Sequence, residues 1–316
     1  MPHSSLVSAL LGESGDARAT LLLGPVSALP HSLTHSLAFN MCHSLASECG
    51  ASSVFICQQQ LLQDSFPLPV LTSHGASEHV SERGSEQAMF LPSSLKRIGL
   101  LHPQSSSQLL EQLMEVSFHT PPPQLLVLDG LSALVDTQGQ RSLSDPIFLQ
   151  QVTRVLSHTL DLLSHLTART LTCTSGNALP PRLVVTENRL HVHGDTHTHA
   201  HEERAYWSIL ERFCERVVLL QSHHQPRAHL SLASTLQSSP LVHIFASSTV
   251  TASTTVCSSA LSSHSVMSAS DSSVSERPCE VLEYGGVTFS SLGSVQVLSD
   301  AHAHSLTPCL LVLLDK

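Results

Sequence analysis

The sequence is poor in aromatic residues, poor in charge, and without any closely spaced cysteine pair of the zinc-binding kind. Phe, Trp and Tyr make up 4% of 316 residues, so a core has to be built mainly from Leu, Val and Ala. Charged residues make up 13%, with acids in excess, and the formal net charge is −10 with histidine neutral. That balance excludes nucleic-acid binding through an overall basic surface, because phosphate contacts need clustered Lys and Arg. Any such contact has to be local or shared with a partner. The eight cysteines are Cys42, Cys49, Cys57, Cys173, Cys214, Cys257, Cys279 and Cys309, and no CxxC occurs among them. Several sit in apolar runs, where a thiol acts as a small hydrophobe. The pattern predicts an intracellular, reducing setting with no disulfide framework. No apolar run is long enough to span a bilayer, and Met1 to Gly15 lacks the basic start and apolar core of a signal peptide, so no membrane partner is expected. No G-x-S-x-G elbow is present, so chance co-occurrence accounts for the abundant Ser and His better than serine-hydrolase chemistry does.

What is present is a chain 41% hydrophobic, arranged in short apolar runs that alternate with amphipathic stretches. The run around which the others fall is Gln124-Leu125-Leu126-Val127-Leu128-Asp129-Gly130. Four consecutive apolar residues fit a strand buried on both faces. An acid at its carboxyl end lies where open α/β sheets place their ligands. Two readings are open for Asp129: a plain helix cap after a buried strand, or the acid that holds the magnesium of a nucleotide in P-loop ATPases.

In chain order, Thr20 to Leu23 reads as a strand ending at Gly24, and His31 to Cys49 as a helix with Leu33, Leu37, Met41 and Leu45 at four-residue spacing. Ser53 to Cys57 is a second strand, followed by the polar Gln58, Gln59 and Gln60. Phe66 to Gln87 reads as an irregular connection. Ile98 to Leu101 is a short edge strand after the basic pair Lys96-Arg97, and Ser105 to Val116 a capped helix. Asp145-Pro146 starts a helix to about Thr167. Leu183 to Thr186 and Arg216 to Leu220 are strands, with a short helix from Trp207 to Phe213 between them. Gly286 to Phe289 and Val295 to Leu298 suggest a terminal hairpin, and Cys309 to Leu314 an apolar tail. Strand and helix in alternation argue for a parallel α/β sheet with helices on both faces.

Gly24 stands where a phosphate-binding loop would begin. That loop needs glycines for the anion cradle, a lysine for the outer phosphates, and a hydroxyl for magnesium. Counted from Gly24, those places hold Leu29, Pro30 and His31. Proline also removes a backbone donor from the cradle. His191, His193, His197, His199 and His201 could bind zinc or nickel, with His193, His197 and His199 the metal candidates; a flexible insertion has the same composition. Lys96 and Arg97 are the candidate DNA contacts, or a solvated face.

The ordered set Leu21-Leu22-Leu23-Gly24, Val54-Phe55-Ile56-Cys57, Arg97-Ile98, Leu125 to Leu131, Leu210-Glu211-Arg212-Phe213 and Val218-Leu219-Leu220-Gln221, with Val287-Thr288-Phe289 as a weaker echo, resembles a known family. It is similar to the small RecA-like ATPases that associate with a SWIM-type zinc-finger protein in the vertebrate Shu complex, divergent relatives of the recombinase paralogues. The resemblance implies a RecA-like P-loop NTPase core with ATP and magnesium at Gly24 and Asp129. It also implies nuclear action in homologous recombination DNA repair. The implied partners are the SWIM-type zinc-finger protein, the recombinase and its paralogues, and single-stranded DNA. The missing lysine at Pro30 departs from the ATPase pattern, so two functions stand side by side. One is an accessory factor that helps recombinase assemble on single-stranded DNA. The other is an active ATPase using a non-standard loop with Asp129 as its magnesium-site acid. On this basis residues 1–19 form an N-terminal tail and 20–230 the RecA-like core, with the histidine-rich loop at 191–201. Residues 231–280 form a serine-rich low-complexity segment, flexible from Thr249 to Glu276, and 281–316 terminal strands or a tail.

Overall fold

Successive residues of the first strand are committed to opposite faces of a sheet, and both faces are apolar. Leu21 and Leu23 enter one core and Leu22 the other. The same alternation holds for Val54 and Ile56 against Phe55, for Leu126 and Leu128 against Leu125 and Val127, and for Leu219 against Val218 and Leu220. Period-two side chains with apolar residues at every position can be satisfied only by a sheet covered on both sides. This is why the strands read as continuous apolar runs.

The computed structural model describes residues 6–12, 17–24, 33–64, 66–71, 90–137, 139, 141–173, 180–187, 199–222, 241–247, 281–284, 287–298 and 309–314. The elements are α1 (Leu6–Leu11), β1 (Ala19–Leu23), α2 (Leu33–Glu48), β2 (Ser53–Ile56), α3 (Gln59–Asp64), β3 (Val70–Leu71), α4 (Pro92–Leu95), β4 (Ile98–Leu101), α5 (Ser106–Val116), β5 (Leu125–Leu128), α6 (Leu131–Val135) and α7 (Pro146–Cys173). There follow β6 (Arg182–Glu187), α8 (His199–Phe213), β7 (Arg216–Ser222), β8 (Leu241–Ser247), β9 (Val281–Tyr284), β10 (Val287–Leu298) and β11 (Cys309–Leu314).

The strands lie in the order β3-β11-β10-β8-β7-β1-β6-β5-β2-β4, with β9 on β10. From β7 to β4 every neighbouring pair is parallel. Strand β8 runs antiparallel to β7 and to β10, and β10 antiparallel to β11. Helices α5, α6, α7 and α8 cover one face and α1 and α2 the other. The expected α/β core, mostly parallel and covered by helices on both faces, is the architecture observed. In it β6 lies between β1 and β5, the strands that carry Gly24 and Asp129.

Several elements follow directly from local chemistry. Ser105 caps α5 by accepting from the Gln108 N–H, and Asp145 Oδ1 accepts from the Ile147 N–H at the start of α7. Helix α7 extends past Thr167 to Cys173, with Leu166 buried and the Thr170 hydroxyl bonded to the Leu166 carbonyl. Helix α8 begins at His199 rather than Trp207, because Glu202 to Ala205 are good helix formers. The polar run after β2 leads into α3, which begins at Gln59.

The largest departures lie toward the chain's end. Within the segment expected to be serine-rich and low-complexity, Leu241–Ser247 is strand β8, with Val242, Ile244, Phe245 and Ala246 buried. The two arms of the expected hairpin are one 12-residue strand, β10, whose register shifts between Ser291 and Gly293. Gly293 takes a positive φ of 130° at that bulge, which glycine alone adopts without strain. The apolar tail is β11, and Leu6–Leu11 in the expected N-terminal tail is a helix. The turn at residues 25–32, the stretch 249–276, and His191, His193 and His197 lie outside the described residues.

Candidate functional site at the carboxyl ends of the parallel strands

Strands β1, β5 and β6 deliver Gly24, Asp129, Thr186 and Glu187 to one end of the sheet. Helix α2 starts there as well and sends His35 from its first turn toward β5. Asp129 follows β5 directly and is 1% exposed. Its Oδ2 lies 2.5 Å from His35 Nδ1, and its Oδ1 accepts from the Thr186 hydroxyl at 2.6 Å. The Thr186 hydroxyl in turn accepts from the Gly130 N–H at 2.9 Å. Gly130 has a positive φ of 69°, which turns the chain from β5 into α6. The His35 ring meets Phe55 edge-on, with centroids 5.4 Å apart.

Beside this pair lies a second buried acid. Glu187 Oε2 accepts from the Ser132 N–H at 2.9 Å and from the Tyr206 hydroxyl at 2.9 Å, and Oε1 from the Ser132 hydroxyl at 3.0 Å. Its backbone carbonyl accepts from the Gly24 N–H at 3.0 Å. A buried carboxylate is tolerated only when its oxygens are hydrogen-bonded, and Glu187 meets that condition. Together the two acids tie the ends of β1, β5 and β6 to α2, α6 and α8.

Among the described residues, the thiol at this end, Cys57, is not activated as a nucleophile. Burial drives the Cys57 thiol well above its usual range, and the neighbouring Asp129 charge pushes in the same direction. Its sulfur lies 3.7 Å from His102 Nδ1. Cys42, on α2, is likewise raised to about 12, chiefly by burial. A thiol that stays protonated is neither nucleophile nor metal ligand.

The nucleotide group implied by the resemblance can be tested against this geometry. Magnesium would need an Asp129 oxygen turned toward the loop after β1. One oxygen faces an imidazole from α2 and the other a threonine hydroxyl from β6, and the carboxylate is sealed from solvent. The lysine position is Pro30. The described residues therefore do not fit a magnesium nucleotide.

The other expected residues are not gathered here. Lys96 and Arg97 are exposed in the turn between α4 and β4, with Arg97 donating to the Gly50 carbonyl. His199 is the first residue of α8. Among the described residues no group of three His, Cys, Asp or Glu is placed to hold a metal ion, and no helix is long and apolar enough to cross a membrane. Gly24 and Asp129, named from the sequence, lie at this end of the sheet, and sequence reasoning missed His35, Ser132, Thr186, Glu187 and Tyr206. Glu187 carried one signal: an acid ending an apolar run, as Asp129 does.

No protein-family model matches the chain, and no curated protein sequence does. Among solved structures the chain is similar to a KaiC-like protein from the hyperthermophilic archaeon Pyrococcus horikoshii, at 13% identity and a TM-score of 0.38, covering 72% of this chain and 76% of that one. At that overlap the likeness carries no argument, and the description of the core rests on its strand order.

Proposed function

We propose that the chain is a RecA-like scaffold that does not hydrolyse nucleotide and serves as an accessory factor in homologous recombination DNA repair. It acts in the nucleus and pairs with a SWIM-type zinc-finger protein. With that partner it engages single-stranded DNA and promotes assembly of the recombinase and its paralogues. The partner, the DNA and the nuclear setting come from the sequence resemblance. The observation that carries the non-hydrolysing part is the engagement of both Asp129 oxygens by His35 and Thr186. With a net charge of −10, DNA contact is local or shared with the partner.

Titration with a fluorescent ATP analogue and magnesium tests the scaffold reading. No binding at millimolar nucleotide is expected. Magnesium-dependent turnover that falls on Asp129→Ala would replace the scaffold with an ATPase. Co-expression tests the pairing: the SWIM-domain protein should co-purify with the chain and raise its soluble yield, and failure of both removes the partner.

A further inference from the structure

Strand β4 ends the parallel sheet with one edge bare: among the described residues no strand lies beyond it. Its bonds to β2 use the carbonyls of Arg97 and Leu101, which accept from the Ser53 N–H at 3.0 Å and the Cys57 N–H at 3.1 Å. Alternate residues of a strand aim their backbone groups at opposite edges. Gly99 therefore also serves β2, whereas Ile98 and Leu100 aim N–H and C=O away from the sheet.

Proteins usually guard such an edge with a charged residue, a proline or a bulge in the strand itself. β4 is only four residues long, which limits the open edge, but Ile-Gly-Leu-Leu carries no charge, proline or bulge of its own. Leu100 is 45% exposed on this strand, and Leu91, just before α4, is 52% exposed. Lys96 and Arg97 stand exposed at the strand's start, and neither meets a carboxylate within ion-pair distance among the described residues. In a chain with a ten-charge acidic excess, two adjacent cations beside a bare apolar edge are the local exception.

We propose that the outer edge of β4 is the docking site for an extended strand of a second protein, apolar at alternate positions and carrying a carboxylate where it passes Lys96 and Arg97. This rests on the reading that the chain works paired with another protein, and it gives that pairing a place. The backbone groups call for a strand, Leu100 for an apolar contact, and the cation pair for an acid. A second copy of this chain fits poorly, since Lys96 to Gln104 contains no acid and would bring the same two cations. Four residues span only about 13 Å of edge, so this contact sets register and orientation while other surfaces add affinity.

Hydrogen exchange on the full chain, alone and co-expressed with the SWIM-domain protein, tests the site. In the free chain the Gly99 and Leu101 amides, paired to β2, exchange slowly and the Ile98 and Leu100 amides rapidly. In the complex the latter two should slow by about tenfold or more. Leu100→Pro removes the outward N–H together with the exposed Leu side chain and should weaken the complex. Lys96→Glu leaves the backbone intact and should weaken it as well. A complex that forms with the Ile98 and Leu100 amides still fast overturns the site but not the pairing. If no complex forms, the pairing itself has failed. The edge is then judged with the synthetic strand acetyl-Asp-Asp-Val-Thr-Val-Thr-Val-amide at millimolar concentration, where unchanged exchange overturns it. Protection that depends on the concentration of the chain alone would assign the edge to a second copy and overturn the proposal.

Discussion

His35 and Asp129, 94 residues apart in sequence, meet at 2.5 Å between Nδ1 and Oδ2, and neither side chain is open to solvent. The contact fastens the first turn of α2 to the end of β5. An acid that in an ATPase would face a metal here faces a side chain of its own protein.

Asp129→Ala should be costly for stability and neutral for nucleotide. Removing one partner of a buried polar pair strands the other, and the expected loss is about 3 kcal/mol. Urea unfolding measures it. Magnesium ATP should leave the unfolding midpoint of the unmutated chain in place, since only a ligand that binds the folded state raises it.

Tyr206→Phe removes one of the donors to Glu187 and keeps the ring against Phe148, where the centroids are 5.5 Å apart. A loss of about 1–2 kcal/mol is expected for a hydrogen bond to a buried carboxylate. Ser132→Ala acts on the same acceptor. The two changes should therefore be non-additive in a double-mutant cycle, and simple additivity would count against a shared network.

The parallel core was legible because its strands are covered on both faces, so burial wrote itself as unbroken apolar runs ending in Gly24 and Asp129. The network around Asp129 was not. His35 is one of 22 histidines, and nothing in a helix's first turn marks the one that reaches a strand nearly a hundred residues later. Thr186 and Ser132 are ordinary polar residues until the fold brings acids to them. Strand β8 was hidden by composition: the serines around Leu241–Ser247 outweighed four buried residues in a seven-residue run. In β10, Ser290-Ser291-Leu292-Gly293 carries turn chemistry, and the fold uses it for a bulge.

Thiol labelling should separate Cys42, Cys49, Cys57 and Cys214 by burial. Cys42 and Cys214 are buried, with thiols raised to about 12, chiefly by burial, and Cys57 is raised too. Cys49 is exposed. Iodoacetamide at neutral pH should alkylate Cys49 first and reach the other three only after unfolding, as read by peptide mass spectrometry. Early modification of Cys57 would contradict its burial.

His43 gives the fold an acid sensitivity beside α4. Burial lowers its pKa below the usual value, and its Nε2 accepts from the Leu91 N–H at 2.9 Å. The unfolded chain therefore binds a proton at a pH where the folded chain does not. Stability from this group is complete above about pH 6.5 and falls as pH drops through that value toward the lowered folded pKa. His43→Gln should flatten this part of the stability profile measured by thermal unfolding from pH 7.5 to 5.5.

Lys96 and Arg97 should show themselves in the salt dependence of DNA affinity. If each contacts one phosphate of single-stranded DNA, replacing either with Ala lowers the salt slope by about 0.7. An unchanged slope for both would remove this turn from the DNA contact and leave it to the edge of β4.

Val70 of β3 pairs in register with Leu310 of β11, and the Leu310 N–H donates to the Pro69 carbonyl at 2.9 Å. During synthesis, then, β3 waits for a strand made about 240 residues later. Until Leu310 has left the ribosome, β3 has no ladder to join, and Asn40 on α2 is what holds its approach, through the Leu68 carbonyl and the Val70 N–H. Pairings so distant in sequence form slowly because a long loop has to close first. The nascent chain is therefore one whose parallel half can settle early while its antiparallel half stays open to chaperones.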